Sequence, residues 1–185
     1  MPLAQGKPVW RFGWVLFLVL FDLWSKDWVF RHLGATAEGY SQPQPLAGEW
    51  LRFASTCNGG AAFGQFDQFP WVLVIGRALA VVFLAWLVLR AEPRPRLVLV
   101  AMVLVLAGAL GNLIDNLWLG CTIPGRTFPL GVRDFLALWF KPLLGIDYHF
   151  PAFNVADACI TVGACAWILA GFLHKPSTAS APGAS

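Results

Sequence analysis

The sequence predicts a mainly α-helical membrane protein with four transmembrane helices and both termini in the cytoplasm. Of its 185 residues, 58% are hydrophobic and only 12% are charged, and its mean hydropathy is +0.64. Four apolar runs are each about 20 residues long, which is enough for a helix to cross the hydrocarbon layer. They are residues 10–30, 69–89, 97–119 and 153–173. We therefore expect residues 1–175 to form one membrane domain, and the Ser-, Ala- and Pro-rich residues 176–185 to form a disordered cytoplasmic tail.

The first apolar run has some features of a secretory signal peptide. Lys7 and Arg11 precede it, and Ala35-Thr36-Ala37 looks like a cleavage site. That site lies far beyond the apolar core, however, and four charged residues come before it. We interpret the run as a retained transmembrane helix.

The distribution of Lys and Arg between the loops predicts the orientation. With the N-terminus inside, segments 1–11, 90–96 and 174–185 hold six of these residues in thirty positions. The outer segments 31–70 and 120–152 hold five in seventy-three. Because basic residues favour the cytoplasmic side, this difference places both termini inside and the two larger loops outside.

The first outer loop is expected to contain a short strand. Residues 50–56 alternate loosely between apolar and polar side chains and are bounded by Gly48 and Gly59-Gly60. The Pro-containing segment 41–48 is expected to be a loop, and Asn58-Gly59-Gly60 a turn. We expect a small amphipathic structure at the outer surface of the membrane.

The predicted topology brings polar side chains of several spans to the same depth. The third span runs outward and ends near Asn112 and Asp115, whereas the fourth runs inward from Asn154 and Asp157. Asp134 lies in the loop that joins them. Further polar residues lie in the outer half of the first span and in the first outer loop: Asp22, Lys26 and Asn58. Since an acid inside a membrane is costly, this convergence predicts a functional site.

Two carboxyl groups held close in a partly dry site share one proton. One can then take a proton from water while the other polarises a substrate carbonyl. Asp115, Asp134 and Asp157 are the candidates, and the shared N-x-x-D spacing alone favours Asp115 with Asp157. No Ser/His/Asp arrangement competes, because the histidines lie at helix ends or in a loop. A nucleophilic cysteine stays open, although none has a histidine near it in sequence.

Several other kinds of site are disfavoured. The four cysteines form no CxxC pair and the three histidines no HExxH motif, so we expect neither a zinc site nor another cofactor. We expect the cysteines to serve as small apolar side chains, while a pairing of Cys57 with Cys121 stays open. A net charge of +3 without a basic stripe argues against a nucleic-acid partner.

Some of these residues also have a purely structural interpretation. Asp157 is near a helix N-terminus, where the helix dipole favours an acid, and Asp22 and Lys26 at i,i+4 can form a self-compensating pair. Gly108 stands among small residues that favour close helix packing. Arg77 lies deep in the second span and needs a partner that the sequence does not identify.

Five blocks along residues 10–175 resemble the bacterial lipoprotein signal peptidase (signal peptidase II) family. They are Asp22-Leu23-Trp24-Ser25-Lys26, Asn58-Gly59-Gly60-Ala61-Ala62-Phe63-Gly64, Gly108-Ala109-Leu110-Gly111-Asn112-Leu113-Ile114-Asp115, Val132-Arg133-Asp134-Phe135 and Phe153-Asn154-Val155-Ala156-Asp157. The resemblance implies a four-helix aspartyl endopeptidase of the bacterial inner membrane with a small periplasmic β-cradle. It also implies that the enzyme cuts signal peptides from diacylglyceryl-modified prolipoproteins, immediately before the lipidated cysteine.

The resemblance changes the pair of acids that spacing suggests. The family's catalytic residues correspond to Asp134 and Asp157, and Asp115 becomes a supporting residue. The other residues expected to support the site or hold the substrate are Asp22, Lys26, Asn58, Gly108, Asn112, Asn154 and Ala156. The implied partners are lipid-modified prolipoproteins and membrane lipids, and we expect a monomer with its active site at the extracytoplasmic face.

Three features depart from the family pattern. Asn116 stands where the family usually has Arg, and Arg133 where an apolar residue is usual. The segment between Asp115 and Asp134 is about ten residues longer than expected, which loops tolerate. We hypothesise that Arg126 or Arg133 supplies the missing guanidinium. The main alternative is a divergent paralogue that binds lipidated peptides and is either non-catalytic or retuned to other substrates. An ion-coupled transporter fits four spans with acids at one face poorly.

Overall fold

The structure, a computed structural model, describes residues 9–33, 43–60, 69–90 and 95–173. In chain order, its elements are α1 (Val9–Leu33), β1 (Gln44–Ala47), β2 (Leu51–Asn58), α2 (Pro70–Arg90), α3 (Arg96–Ile114) with a π-helical extension (Asp115–Leu119), β3 (Cys121–Ile123), β4 (Arg126–Phe128), β5 (Val132–Trp139), α4 (Lys141–Leu144), β6 (His149–Phe153) and α5 (Val155–Leu173). The prediction of a mainly helical protein with a small β-part is confirmed. The predicted tail and the Ala61–Gly64 part of the second sequence block lie outside the described residues.

Four helices coincide with the predicted spans. Within the described residues, α2, α3 with its extension, and α5 are long and apolar enough to cross a membrane. α1 has 25 residues, which is also sufficient length, but it carries Asp22, Lys26 and Asp27. Its role as a fourth span and the orientation of the bundle stay predictions.

α3 is the central helix and contacts α1, α2 and α5. In its most apolar stretch 61% of the residues are buried, against 11% in α2 and 22% in α5. Gly108 and Gly163 allow α3 and α5 to approach closely. A Cβ at Gly108 would overlap the carbonyl oxygen of Ala156, and one at Gly163 would lie 2.7 Å from Val105 Cγ2. Small residues at the contact thus bring the start of α5 against the C-terminal half of α3.

The β-part consists of two antiparallel sheets. The larger has the strand order β1-β2-β5-β6, and the smaller is the hairpin β3–β4. The strand expected at 50–56 is present as β2. The expectation of a loop at 41–48 was wrong, because Gln44–Ala47 pairs with β2 as the edge strand β1. Pro45 is tolerated there because an edge strand leaves part of its N–H groups unpaired.

A disulfide joins Cys57 of β2 to Cys121 of β3. The expectation that all four cysteines are simple apolar side chains was therefore wrong for these two, whereas Cys159 and Cys165 in α5 are free thiols. The bond spans a sequence separation of 64, and such crosslinks typically stabilise a fold by about 2–4 kcal/mol. It attaches the long segment after Asp115, which forms the hairpin, to the main sheet.

Candidate active site

The first turn of α5 holds Asp157 in a defined orientation. Asn154 precedes the helix, and its Oδ1 accepts a hydrogen bond from the backbone N–H of Asp157 at 2.9 Å. Asp157 Oδ2 accepts one from the backbone N–H of Asn154 at 3.2 Å. The two residues form a reciprocal capping box, which satisfies N–H groups that a helix start leaves unpaired. The N-x-x-D spacing here determines both where α5 begins and how its acid is oriented.

Asp134 lies in the inner strand β5 and is buried. Its Oδ1 accepts a hydrogen bond from Asn154 Nδ2 at 2.7 Å, and its Oδ2 accepts one from Asn58 Nδ2 at 3.1 Å. Asn112 Nδ2 donates to Asp157 Oδ1 at 2.7 Å. Asn154 therefore contacts both carboxyl groups, that of Asp134 through its side-chain Nδ2 and that of Asp157 through its backbone N–H. Asp134 is fully enclosed, whereas Asp157 is half-buried.

Burial and the charge of Asp157 raise the pKa of Asp134 to about 8. Hydrogen bonds from Asn58 and Asn154 and the charge of Lys26 act in the opposite direction. Two carboxyl groups coupled in this way lose their protons as a pair, so one proton stays on the pair at neutral pH. Such a pair can accept a proton from water and donate another to a carbonyl oxygen.

Lys26 of α1 connects the helices around the two acids, and its side chain is fully buried. Its Nζ lies 2.7 Å from Asp22 Oδ2 and 3.2 Å from Asp115 Oδ2. It also donates a hydrogen bond to Asn112 Oδ1 at 3.0 Å, so three oxygen atoms from two helices surround the ammonium group. Asp22 Oδ1 accepts the backbone N–H of Ala156 at 2.8 Å, which joins α1 to the first turn of α5.

Asp115 is engaged by two cations. Besides Lys26, Arg133 NH2 donates to Asp115 Oδ1 at 2.7 Å, and the backbone N–H of Arg133 donates to Oδ2 at 3.1 Å. Asp115 thereby links α3 to the start of β5, which suits a supporting residue. Of the two arginines proposed to supply the missing guanidinium, Arg133 lies in the site, whereas Arg126 stacks on Phe128 at 4.3 Å in the hairpin.

Asn116 is the partner of Arg77 that the sequence did not identify. Arg77 NH1 donates to Asn116 Oδ1 at 2.6 Å, and Asn116 Nδ2 donates to the carbonyl oxygen of Leu130 at 2.6 Å. The guanidinium of α2 is within electrostatic reach of Asp134 and Asp157. The signal that could have revealed this contact was the combination of an isolated Arg inside a span and an Asn where the family has Arg.

The charges of the buried cluster around the site sum to zero when Asp134 and Asp157 share one proton. The acids of the cluster are Asp22, Asp115, Asp134 and Asp157. Its cations are Lys26, Arg77 and Arg133. Four carboxyl groups beside three cations leave one excess negative charge, and a single shared proton removes it. A buried cluster favours this neutral state because unpaired buried charge is costly.

Every residue that the sequence predicted for the site lies in or next to this network. Asp22, Lys26, Asn58, Asn112, Asp115, Asp134, Asn154 and Asp157 contribute polar side chains. The other two contribute differently: Ala156 donates only its backbone N–H, and Gly108 provides the close helix contact. The roles assigned to these residues stay predictions.

A bundle of long apolar helices that holds acids, amides and cations beside a small sheet has the architecture of an integral membrane enzyme. Two solved structures described as a bacterial membrane enzyme, determined in meso at 2.3 and 1.9 Å, share this fold. Their TM-scores are 0.70 and 0.66, at 24% and 25% sequence identity. The likeness covers 88% and 86% of this chain, and 87% and 90% of those chains.

Residues 14–173 match the family model described as signal peptidase (SPase) II. The lipoprotein signal peptidase of Serratia proteamaculans (strain 568) is 34% identical over 96% of this chain and 97% of its own length. That of Streptomyces coelicolor is also 34% identical, over 87% of this chain and 69% of its own length. The chain belongs to the signal peptidase II family. It is therefore a membrane peptidase, of a family that removes signal peptides from prolipoproteins.

Proposed function

We propose that this protein is an aspartyl endopeptidase that cuts diacylglyceryl-modified prolipoproteins immediately before the lipidated cysteine, with Asp134 and Asp157 as its catalytic pair. The observation that carries the proposal is that Asn154 holds both carboxyl groups, one by its side chain and one by its backbone N–H, within electrostatic reach of each other. One is buried and retains a proton, and the other is half-buried and can reach a substrate. The family membership supplies the substrate class.

In the proposed mechanism the two acids have different roles. Asp157 takes a proton from a water molecule, whose oxygen attacks the carbonyl carbon of the scissile peptide bond. Asp134 holds the shared proton and gives it to the carbonyl oxygen as the tetrahedral intermediate forms. Asp157 then gives its proton to the amide nitrogen, the C–N bond breaks, and one hydroxyl of the intermediate returns a proton to Asp134. The products are a carboxylic acid and an amine that begins with the lipidated cysteine. Asn58 and Asn112 keep the carboxyl groups oriented throughout.

Two independent features support an extracytoplasmic active site in the bacterial inner membrane. The excess of Lys and Arg in the predicted inner segments orients the strands outward. The Cys57–Cys121 disulfide lies next to Asn58, and disulfides persist mainly outside the reducing cytoplasm. A lipidated cysteine is anchored at the membrane surface, so an outward site at the ends of the helices suits such a substrate.

The experiment that tests the proposal uses purified protein in lipid or detergent with a diacylglyceryl-modified precursor. We expect a product shortened by the signal peptide, and its new N-terminus should be the lipidated cysteine. A precursor that lacks the diacylglyceryl group should be cut much more slowly. If the precursor binds but stays uncut, the non-catalytic paralogue is the better interpretation.

The cleavage rate should depend on pH through the shared proton. We expect kcat to be retained at neutral pH and to fall as the pH rises through about 8, because the pair then loses the proton that Asp134 donates. The free energy of unfolding should also depend on the protonation of Asp134. Because folding raises the pKa of this carboxyl group from 3.8 to about 8, its contribution to stability is complete below pH 3.8 and is lost as the pH rises to about 8. Rate and unfolding temperature measured from pH 5 to 10 check both effects. A rate that stays flat from pH 7 to 10 would contradict the assignment.

Substitution of Arg133 should lower kcat much more than the same substitution of Arg126. Arg133→Gln removes an ion pair with the buried Asp115 and should lower kcat at least about tenfold, since only the backbone hydrogen bond then attaches the start of β5 to Asp115. Arg126→Gln removes an exposed ring contact and should leave kcat within about twofold. The two variants make the same chemical change in successive strands, so equal activities would show that Arg133 has no specific role.

A further inference from the structure

The hairpin β3–β4 is attached to the end of β2 at two points on either side of Asn58. On one side, Cys121 forms the disulfide with Cys57, with their Cα atoms 5.6 Å apart. On the other side, the ring of Phe128 packs on the backbone of Gly59, where an added Cβ would lie 2.9 Å from Phe128 Cδ1. Cys121 and Phe128 face each other across the hairpin, so a single rigid unit holds both neighbours of Asn58.

Asn58 is fixed by contacts at both ends of its side chain. Its Nδ2 donates to Asp134 Oδ2 at 3.1 Å, and its Oδ1 accepts the backbone N–H of Gly60 at 3.0 Å. In the sheet it pairs with Val132, two residues before Asp134. A shift of the backbone at residues 57–59 would therefore change the distance between the amide and the buried acid directly.

The hairpin on its own has little to hold it in place. Each strand has three residues, and isolated two-stranded hairpins of any length are at most marginally stable in water. Cys121 and Ile123 are buried, whereas the tip around Arg126 and Thr127 is exposed. The disulfide is the covalent link between the buried side of the hairpin and β2.

We propose that the Cys57–Cys121 disulfide is a positioning device for the candidate active site. It holds the hairpin on residues 57–59 and thereby keeps the Asn58 amide on Asp134, so that the oxidised protein is the fully active form. The bond forms when the two thiols give two electrons and two protons to a disulfide-bearing oxidant by thiol–disulfide exchange, and a dithiol reductant reverses it. The inference rests on the proposed function, because cleavage is its main readout.

The test combines removal of the disulfide with removal of Asn58. The double variant C57A/C121A should show kcat about tenfold lower with KM changed less than about twofold, since the disulfide acts on the catalytic group through a hydrogen bond. Asn58→Ala should have a similar effect. The triple variant that combines C57A/C121A with Asn58→Ala should have about the same kcat as either parent variant, because changes that act through one contact are not additive. Cys165→Ala, which removes an exposed free thiol, is the matched control and should cut like the parent.

A second readout does not depend on cleavage of the precursor. Trypsin should cut after the exposed Arg126 at least about tenfold faster in C57A/C121A, or in the parent protein treated with dithiothreitol, than in the oxidised parent. Faster tryptic cutting together with coinciding losses supports the proposal. Multiplying losses, unchanged kcat or equal tryptic cutting would overturn it. If the parent protein itself fails to cut the precursor, the proposed function fails, while the tryptic rates still decide whether the disulfide holds the hairpin.

Discussion

Asp134→Asn should abolish cleavage, with a fall in kcat of about a thousandfold or more. The amide has the size of the carboxyl group but cannot hold the proton that the pair shares, and acid–base groups of this kind typically contribute about 10²–10⁴-fold to the rate. Asp157→Asn should be equally severe because it removes the group that takes the proton from water. Both are measured as single-turnover cleavage of a diacylglyceryl-modified precursor.

The controls for these variants separate catalysis from folding. Asp147→Asn makes the same change at an exposed acid that accepts hydrogen bonds from Trp139 and Lys141, and it should cut at the rate of the parent. Asp134→Asn should also flatten the dependence of the unfolding temperature on pH between about 5 and 8, since the titrating group is gone. If both Asn variants still cut at more than a tenth of the parent rate, the assigned pair is wrong.

The start of the last helix could be predicted from sequence because it depends on local chemistry. Asn154 and Asp157 are three residues apart and satisfy each other's backbone groups, so their spacing alone determines the cap. The same N-x-x-D spacing at Asn112 and Asp115 favoured Asp115, instead of Asp134, as the partner of Asp157. Those two residues lie in and at the end of α3, where the partners of each side chain depend on which other elements pack against that helix.

Two features that sequence reasoning missed depend on contacts between residues far apart in the chain. Arg77 and Asn116 lie 39 positions apart, and Cys57 and Cys121 lie 64 apart. A buried thiol is the commoner state of a cysteine, so composition favoured the wrong interpretation for the disulfide pair. Cys57 and Cys121 come together because the segment after Asp115 forms a hairpin that packs on β2.

The largest loss of stability should come from Lys26→Met, at about 3–5 kcal/mol in the free energy of unfolding. The variant keeps an unbranched, mostly apolar side chain but leaves Asp22 and Asp115 without the cation that both contact. It also leaves Asn112 Oδ1 without this donor. Arg31→Met is the matched control, because it breaks an ion pair with the same i,i+4 spacing in the same helix, formed with Asp27 at an exposed position. That loss should be about 0–1 kcal/mol.

The two losses of stability should differ because the ion pair of Lys26 is buried and that of Arg31 is exposed. A second substitution that removes the unpaired charge can test this explanation. Removing one partner of a buried pair leaves an uncompensated charge, whereas an exposed partner is solvated by water. Adding Asp22→Asn to Lys26→Met should therefore restore part of the lost stability, with Asp115 still paired to Arg133. Chemical or thermal unfolding in a detergent that keeps the parent folded measures all four proteins. A Lys26→Met variant as stable as Arg31→Met, or one that Asp22→Asn destabilises further, would show that Lys26 does not hold the acids of α1 and α3 together.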